Sequence, residues 1–188
     1  MRVVAGIHKG RKLKAVSGKA TRPTTDKVKE AVFQVIGPFF NSGRVLDLFA
    51  GSGALGIEAL SRGMDSAVFI DKQSKAVNTI YDNLKTLNIT ESSEVYRNEA
   101  FRALHTLAKR ELQFDLILLD PPYRMVDFEN LLYEIKNLGL LRENGLIFCE
   151  HDISEKLPPQ LDNYSILKQS NYGDTISVTI YQEGKRKD

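Results

Sequence analysis

The stretch Val45-Leu46-Asp47-Leu48-Phe49-Ala50-Gly51-Ser52-Gly53-Ala54-Leu55-Gly56 decides the fold class of this chain. An apolar, strand-like run leads into the glycine pattern G-x-G-x-x-G, and a helical stretch follows that stops at Gly63. A glycine loop between a strand and a helix is typical of parallel α/β sheets that bind nucleoside cofactors, because glycines let the backbone approach the ligand. Asp71 lies 20 residues after Gly51, at the end of the next apolar run, where an acid holds ribose hydroxyls.

Outward from this loop, strand-like and helical stretches alternate along the chain. The hydrophobic spacing predicts strands at 2–6, 12–16, 45–49, 67–70, 93–96, 114–119, 146–150, 165–169 and 175–181, and helices at 26–37, 54–62, 74–87, 100–110 and 128–138. Such alternation predicts right-handed βαβ units. We therefore expect an α/β, Rossmann-like fold whose mostly parallel sheet ends in an antiparallel edge hairpin, with a short basic β-hairpin and helix in front.

The acid before the glycines bears on the kind of cofactor. The Asp47 carboxylate would repel a pyrophosphate, whereas it suits the cationic amino-acid part of S-adenosyl-L-methionine, which carries no phosphate. This favours a methyl donor over NAD, although an acid that caps a helix or a turn is the alternative. The corner Asn98-Glu99-Ala100 is placed either to contact adenine or to cap the next helix. The predicted cofactor residues are Asp47, Phe49, Gly51, Ser52, Gly53, Asp71, Lys72, Asn98, Glu99 and Ala100, with no metal.

A second motif, Asp120-Pro121-Pro122-Tyr123, follows the apolar strand 114–119. Ligands in open α/β sheets bind at the carboxyl ends of strands. The Asp120 carboxylate and the Pro121 carbonyl can each accept an N–H bond from an arylamine, which points the nitrogen lone pair at a methyl donor. Tyr123 can stack on the target base. We predict these four residues, Pro122 included, as the catalytic corner; an ordinary Pro-Pro turn is the alternative.

Charge is unevenly distributed along the 188 residues. Residues 1–30 carry nine Lys or Arg and two acidic residues, whereas the remaining chain carries 17 and 22. This basic head predicts an anionic partner, and a merely solvated basic segment is the other interpretation. The single Cys149 lies in an apolar run and is expected to be buried. No stretch of signal-peptide or transmembrane length is apparent, so we expect a cytoplasmic protein.

The three histidines are not spaced as metal ligands, and Glu150-His151-Asp152 is interpreted as a polar loop after a strand, with lining of the target pocket as the alternative. Taken together, the motifs resemble the class I amino-methyltransferases, and the head resembles the RsmD-type 16S ribosomal RNA guanine-N2 methyltransferases. The segments that carry this resemblance are Met1-Arg2-Val3-Val4-Ala5-Gly6, Gly10-Arg11-Lys12-Leu13, Arg22-Pro23-Thr24-Thr25-Asp26-Lys27-Val28-Lys29-Glu30, Glu58-Ala59-Leu60-Ser61-Arg62-Gly63 and Tyr172-Gly173-Asp174-Thr175. The family often has Asp-Ala where this chain has Glu99-Ala100.

The resemblance implies a seven-stranded class I methyltransferase sheet, S-adenosyl-L-methionine as donor, and a guanine in small-subunit rRNA as acceptor. It implies a basic extension over residues 1–40 that contacts RNA, followed by a methyltransferase domain over 41–188. The partner would be 16S rRNA, or a small ribosomal subunit or its assembly intermediate, and we expect a monomer. The predicted RNA-binding residues are Arg2, Lys9, Arg11, Lys12, Arg22, Thr24, Thr25 and Lys27.

Three rival functions stay open at the level of sequence. A DNA adenine or cytosine amino-methyltransferase shares the core chemistry but usually needs a larger recognition domain. An NAD-dependent oxidoreductase shares the glycine loop, and Asp47 with the Asp-Pro-Pro-Tyr corner argues against it. A non-catalytic RNA-binding module would bind RNA without turnover.

Overall fold

The computed structural model describes residues 1–18 and 25–184, which fall into two compact units, Met1–Ala100 and Phe101–Asp188. Arg22 and Thr24, both predicted to bind RNA, lie outside the described residues. Within the described part of the chain, no helix is long and apolar enough to cross a membrane.

The first unit contains a parallel sheet with strand order β3-β2-β1. Its elements are α1 (Asp26–Ile36), β1 (Arg44–Asp47), α2 (Ala54–Ser61), β2 (Ser66–Asp71), α3 (Ser74–Leu87), a 3-10 turn (Thr90–Ser92) and β3 (Ser93–Arg97). The inner strands are almost wholly apolar and buried, as expected for strands covered on both faces. Since parallel strands end at one edge of the sheet, Asp47, Asp71 and Arg97 follow one another along that edge.

The second unit combines one parallel pair with an antiparallel ribbon, in the order β4-β5-β8-β7-β6. Its strands are β4 (Phe114–Leu119), β5 (Leu141–Asp152), β6 (Gln160–Leu161), β7 (Tyr164–Tyr172) and β8 (Ile176–Glu183), and its helices are α4 (Ala100–Lys109), which begins at the last residue of the first unit, and α5 (Phe128–Asn137). The predicted alternation and the closing hairpin are confirmed. The described residues hold eight strands rather than seven, because the two-residue β6 is added beside β7.

Two predictions of local structure are wrong, and hydrogen bonding explains both. Residues 150–152 form no loop, because β5 continues through Asp152 while β8 pairs with it, His151 opposite Ser177. The apolar run ends at Cys149, but the hydrogen bonding between β5 and β8 continues to Asp152. Cys149 itself is fully buried, as predicted.

The N-terminal segment forms one isolated bridge, between Arg2 and Lys12, instead of two strands. The backbone N–H groups of Val4 and Ala5 donate to the Glu58 carboxylate, at 2.9 and 3.0 Å, rather than to a partner strand. The segment is thus a turn held by side chains of α2. The following helix, predicted at 26–37, ends at residue 36.

Candidate functional site

The glycine loop after β1 is held in shape by its own backbone and by β2. Gly51 and Gly53 have φ angles of +55° and +82°, in the left-handed region that favours glycine. The Gly53 N–H donates to the Ala50 carbonyl at 2.7 Å, and the Ala50 N–H donates to the carbonyl of Ile70 in β2 at 2.9 Å. A Cβ built on Gly51 would meet no atom within 4 Å, so the loop is open on that side.

Gly56 allows the first turn of α2 to lie directly against the sheet. A Cβ at this position would stand 2.4 Å from the Phe69 ring and 3.1 Å from Oδ2 of Asp47. The Gly56 N–H instead donates to that Asp47 oxygen at 3.0 Å. The third glycine of the motif therefore serves close packing and leaves the helix amide to the buried acid.

Asp47 is a buried carboxylate, with 1% of its surface exposed. Burial raises the pKa of Asp47 to about 7, the hydrogen bond from Gly56 partly opposes this, and the nearby Asp71 charge adds to it. The two carboxylates are thus close enough to act on one another. A cation bound beside them would favour the ionised form of Asp47.

Asp71 fixes the glycine loop from the end of β2. Its Oδ2 accepts the Gly51 N–H and its Oδ1 accepts the Gln73 N–H, each at 2.9 Å. Each carboxylate oxygen can accept more than one hydrogen bond, so Asp71 retains capacity toward a ligand hydroxyl. The Asn98 N–H donates to the Asp71 carbonyl at 3.1 Å, which brings the end of β3 beside the end of β2.

The remaining predicted cofactor residues differ in exposure. Asn98 uses its Oδ1 to accept the Glu99 N–H at 2.9 Å, at the start of α4. Lys72 and Glu99 are exposed, Phe49, Ser52 and Asn98 are half-buried, and Ala100 is buried. The structure therefore gathers Asp47, the glycine loop, Asp71 and the Asn98 corner along one strand edge of the first unit.

The Asp-Pro-Pro-Tyr corner directly follows β4 in the second unit. Asp120 is half-buried, Pro121 is buried, and Pro122 and Tyr123 are exposed. The Pro122 carbonyl accepts the Met125 N–H at 3.3 Å and closes a turn. The corner thus presents an aromatic ring beside a carboxylate at the carboxyl end of a strand.

Glu150 also belongs to this corner, where the sequence favoured a polar loop and lining of the target pocket was only the alternative. It is 3% exposed, and it accepts a 3.2 Å hydrogen bond from the Tyr123 hydroxyl. Interpretation of 150–152 as a loop concealed its place; an acid directly after the apolar run 146–149 was the available signal. Its neighbour His151 bonds to Thr179 at 2.9 Å, and burial lowers the pKa of this imidazole.

Three predicted RNA-binding residues lie on the N-terminal turn. Lys9, Arg11 and Lys12 are exposed, and Arg11 donates through Nη2 to the Thr86 carbonyl at 2.9 Å. Backbone bonds from Val3 to Arg11 and from Gly10 to Val3 close the turn. The turn is therefore ordered, and it presents cations to solvent.

The other described members of this set have mixed roles. Arg2 pairs with Asp26 at 3.0 Å on the surface. Thr25 caps α1, since its hydroxyl oxygen accepts the Val28 N–H at 3.3 Å. Lys27 is exposed on α1.

A buried ionic cluster, which the sequence did not reveal, attaches the basic segment to α2. Besides the two amides above, Glu58 accepts from Arg62 Nε at 2.9 Å and lies 3.7 Å from the Lys29 ammonium. Lys29 donates to the Arg2 carbonyl at 2.5 Å, and burial lowers its pKa while the Glu58 charge opposes the shift. Lys29 is therefore a structural cation and not part of an exposed basic surface.

Among the described residues, no group of His, Cys, Asp and Glu is arranged to hold a metal ion. A sequence model of the family described as "Conserved hypothetical protein 95" matches residues 1–182. The "Putative rRNA methyltransferase YlbH" of Bacillus subtilis (strain 168) is 52% identical over 183 residues, which make up 97% of this chain and 99% of that protein.

The "Ribosomal RNA small subunit methyltransferase D" of Escherichia coli (strain K12) is 32% identical over 182 residues, covering 97% of this chain and 89% of that protein. The solved structure "Putative methyltransferase yhhF from Escherichia coli" has a TM-score of 0.84 and 31% identity, and the match covers 99% of both chains. These likenesses confirm the Rossmann-like class I methyltransferase fold.

Proposed function

We propose a reaction for this chain, which belongs to the Conserved hypothetical protein 95 family. It transfers a methyl group from S-adenosyl-L-methionine to the exocyclic N2 amine of a guanine in small-subunit rRNA. The observation that carries this proposal is the Asp120-Pro121-Pro122-Tyr123 corner at the carboxyl end of β4. The relatives named as rRNA methyltransferases support the substrate class.

The first unit fits S-adenosyl-L-methionine. The glycine loop is open at Gly51, and the mutually interacting Asp47 and Asp71 favour a ligand that carries positive charge and hydroxyls. Asp71 would take the ribose, Asp47 the amino-acid part directly or through water, and the Asn98 corner the adenine. Phe49, Ser52, Gly53, Lys72, Glu99 and Ala100 would complete the cofactor site. The bound cofactor supplies an electrophilic methyl group.

The Asp-Pro-Pro-Tyr corner would orient the amine. An arylamine is a weak nucleophile, because its lone pair is delocalised into the ring. The Asp120 carboxylate and the Pro121 carbonyl each accept one N–H bond, which holds the nitrogen with its lone pair directed away from them. As the nitrogen gains positive charge, Asp120 stabilises it and receives the departing proton. Tyr123, whose hydroxyl is anchored on Glu150, offers its ring to the base.

The basic segment would bind the RNA backbone. Lys9, Arg11 and Lys12 surround a turn that α2 holds in place, so their charges are presented on a fixed support. Within the proposed arrangement, residues 1–40 act as the RNA-contacting extension and 41–188 as the methyltransferase domain. A target guanine must leave its stack to reach a pocket, which costs a few kcal/mol. An rRNA substrate also implies action in the cytoplasm, and we propose a monomer.

An NAD-dependent oxidoreductase is the rival from another class. A pyrophosphate at the loop would face Asp47 and Asp71, and two neighbouring carboxylates disfavour that anion. Purified protein should be incubated with methyl-labelled S-adenosyl-L-methionine and, separately, with a 16S rRNA transcript, with small-subunit particles and with duplex DNA. The proposal expects label in rRNA. Label in DNA favours the DNA amino-methyltransferase, and RNA binding without label favours a binding module.

A further inference from the structure

A single buried side chain, Asn83 of α3, joins the glycine loop to the basic N-terminal segment. Only 1% of this residue is exposed. Its Nδ2 donates to the Ser52 carbonyl at 2.9 Å and to the Lys14 carbonyl at 3.1 Å. Its Oδ1 accepts the Lys14 N–H at 2.8 Å. The oxygen and the nitrogen of this side-chain amide thus bond to backbone groups of the N-terminal segment, and the nitrogen also bonds to the glycine loop.

The same two segments also meet without Asn83. The Ser52 hydroxyl donates to the Met1 sulfur at 3.5 Å, so the start of the chain touches the glycine loop. Farther along, the segment is anchored on Ser61 of α2. The Ser61 backbone carbonyl accepts the Ile7 N–H at 2.9 Å, and the Ser61 hydroxyl donates to the Ala5 carbonyl at 2.6 Å. The segment is therefore fixed at its turn, touches the loop directly at Met1, and is joined to it at Lys14 only through Asn83.

Bonds to backbone groups a few residues away are a common use of an Asn side chain. Asn83 instead makes its three observed bonds to residues 31 and 69 positions away along the chain. Peptide groups bonded in this way cannot shift independently without breaking these bonds, and a buried donor left unpaired is destabilising. A displacement of the Lys14 backbone therefore displaces or breaks the hydrogen bond at the Ser52 carbonyl, and a displacement of Ser52 acts on Lys14 in the same way.

We infer that Asn83 is a positioning residue that couples the two binding regions, so that RNA on the basic segment and cofactor at the glycine loop strengthen each other's binding. This inference rests on the proposed function for both ligands. Ordering either segment reduces the entropy that the second ligand must remove, and thermodynamic linkage makes the effect reciprocal. Asn83 itself touches neither ligand.

The test is a binding cycle with S-adenosylhomocysteine and an unmethylated 16S rRNA transcript. Calorimetry gives the dissociation constant of S-adenosylhomocysteine with and without saturating RNA, for wild type, Asn83→Ala and the control Asn78→Ala. Asn78 is an exposed asparagine of the same helix. We expect RNA to tighten binding about fivefold in wild type and in N78A, and to leave N83A nearly unchanged. A structural role alone would weaken all binding without removing this ratio.

A second measurement uses only the wild type, in case N83A does not fold. Hydrogen–deuterium exchange of the amides at 50–53 should slow when the RNA transcript is added without cofactor. Unchanged exchange with RNA bound, or an equal ratio in wild type and N83A, overturns the coupling and leaves the proposed function standing. If the wild type binds neither RNA nor S-adenosylhomocysteine, the proposed function fails and the coupling fails with it.

Discussion

Replacement of Asp47 by Asn tests the electrostatics of the glycine loop. Burial raises the Asp47 pKa from 3.8 to about 7, and one pKa unit corresponds to about 1.4 kcal/mol. The native state therefore binds one more proton than the unfolded chain between these two values, and stability falls as the pH rises through that window. Above pH 7 the ionised Asp47 costs about 4 kcal/mol, an upper limit. Asn removes this cost and can still accept the Gly56 N–H.

The assay is urea unfolding of the cofactor-free protein at pH 5 and pH 8. The control, Asp174→Asn, removes a carboxylate from an exposed turn. The free energy of unfolding of D47N should exceed that of wild type, and the difference should grow by about 3 kcal/mol between the two pH values. S-adenosylhomocysteine should nevertheless bind D47N about tenfold more weakly, because its ammonium group loses a charged partner. A difference that is independent of pH would contradict the raised pKa of Asp47, and unweakened binding would contradict its contact with the ligand ammonium.

Three further substitutions test the other parts of the site. Asp120→Ala should lower methyl transfer roughly 100-fold or more and leave the calorimetric affinity for S-adenosylhomocysteine unchanged, because the carboxylate acts on the amine; retained turnover removes its catalytic role. Lys12→Ala should weaken rRNA binding and reduce the salt slope by about 0.7 in filter binding, and an unchanged slope contradicts a phosphate contact. Gly6→Ala places a Cβ 1.8 Å from the Ser61 carbonyl oxygen, whereas Gly10→Ala meets nothing within 4 Å. G6A should therefore lower Tm far more than G10A, and equal losses would show that the turn does not need this close approach.

Much of the fold could be predicted because its signals are local. The stretch around residues 45–56 specifies a strand, a glycine turn and the start of a helix, which open a βαβ unit, and apolar runs mark the buried strands. The ends of strands were predicted less accurately where pairing with a distant strand decides them. The extension of β5 through Asp152 depends on β8, which lies more than 20 residues later in the chain. The N-terminal strands failed for a related reason, since Glu58 takes the amides of Val4 and Ala5.

Site residues, too, were predictable where the signal is local and not where it depends on the fold. Asp47, Asp71 and the Asp-Pro-Pro-Tyr corner are visible in sequence, because each is an acid that lies within or directly after an apolar, strand-like run. Asn83 lies inside an ordinary amphipathic helix, and only the fold brings it to Ser52 and Lys14. Likewise, no local pattern separates the buried Lys29 from the exposed lysines of the basic head. Long-range hydrogen bonds, which have no periodicity, therefore account for what sequence reasoning missed.

Guanine-N2 methylation by this protein is tested most directly by nucleoside analysis of 16S rRNA after reaction. Small-subunit particles from a strain lacking the gene would be incubated with the protein and S-adenosyl-L-methionine, digested, and analysed by mass spectrometry with fragment mapping. We predict N2-methylguanosine at a defined position in the wild-type reaction and none with Asp120→Ala. A methyl group on another nucleoside, or none at all in either particles or free rRNA, would contradict it.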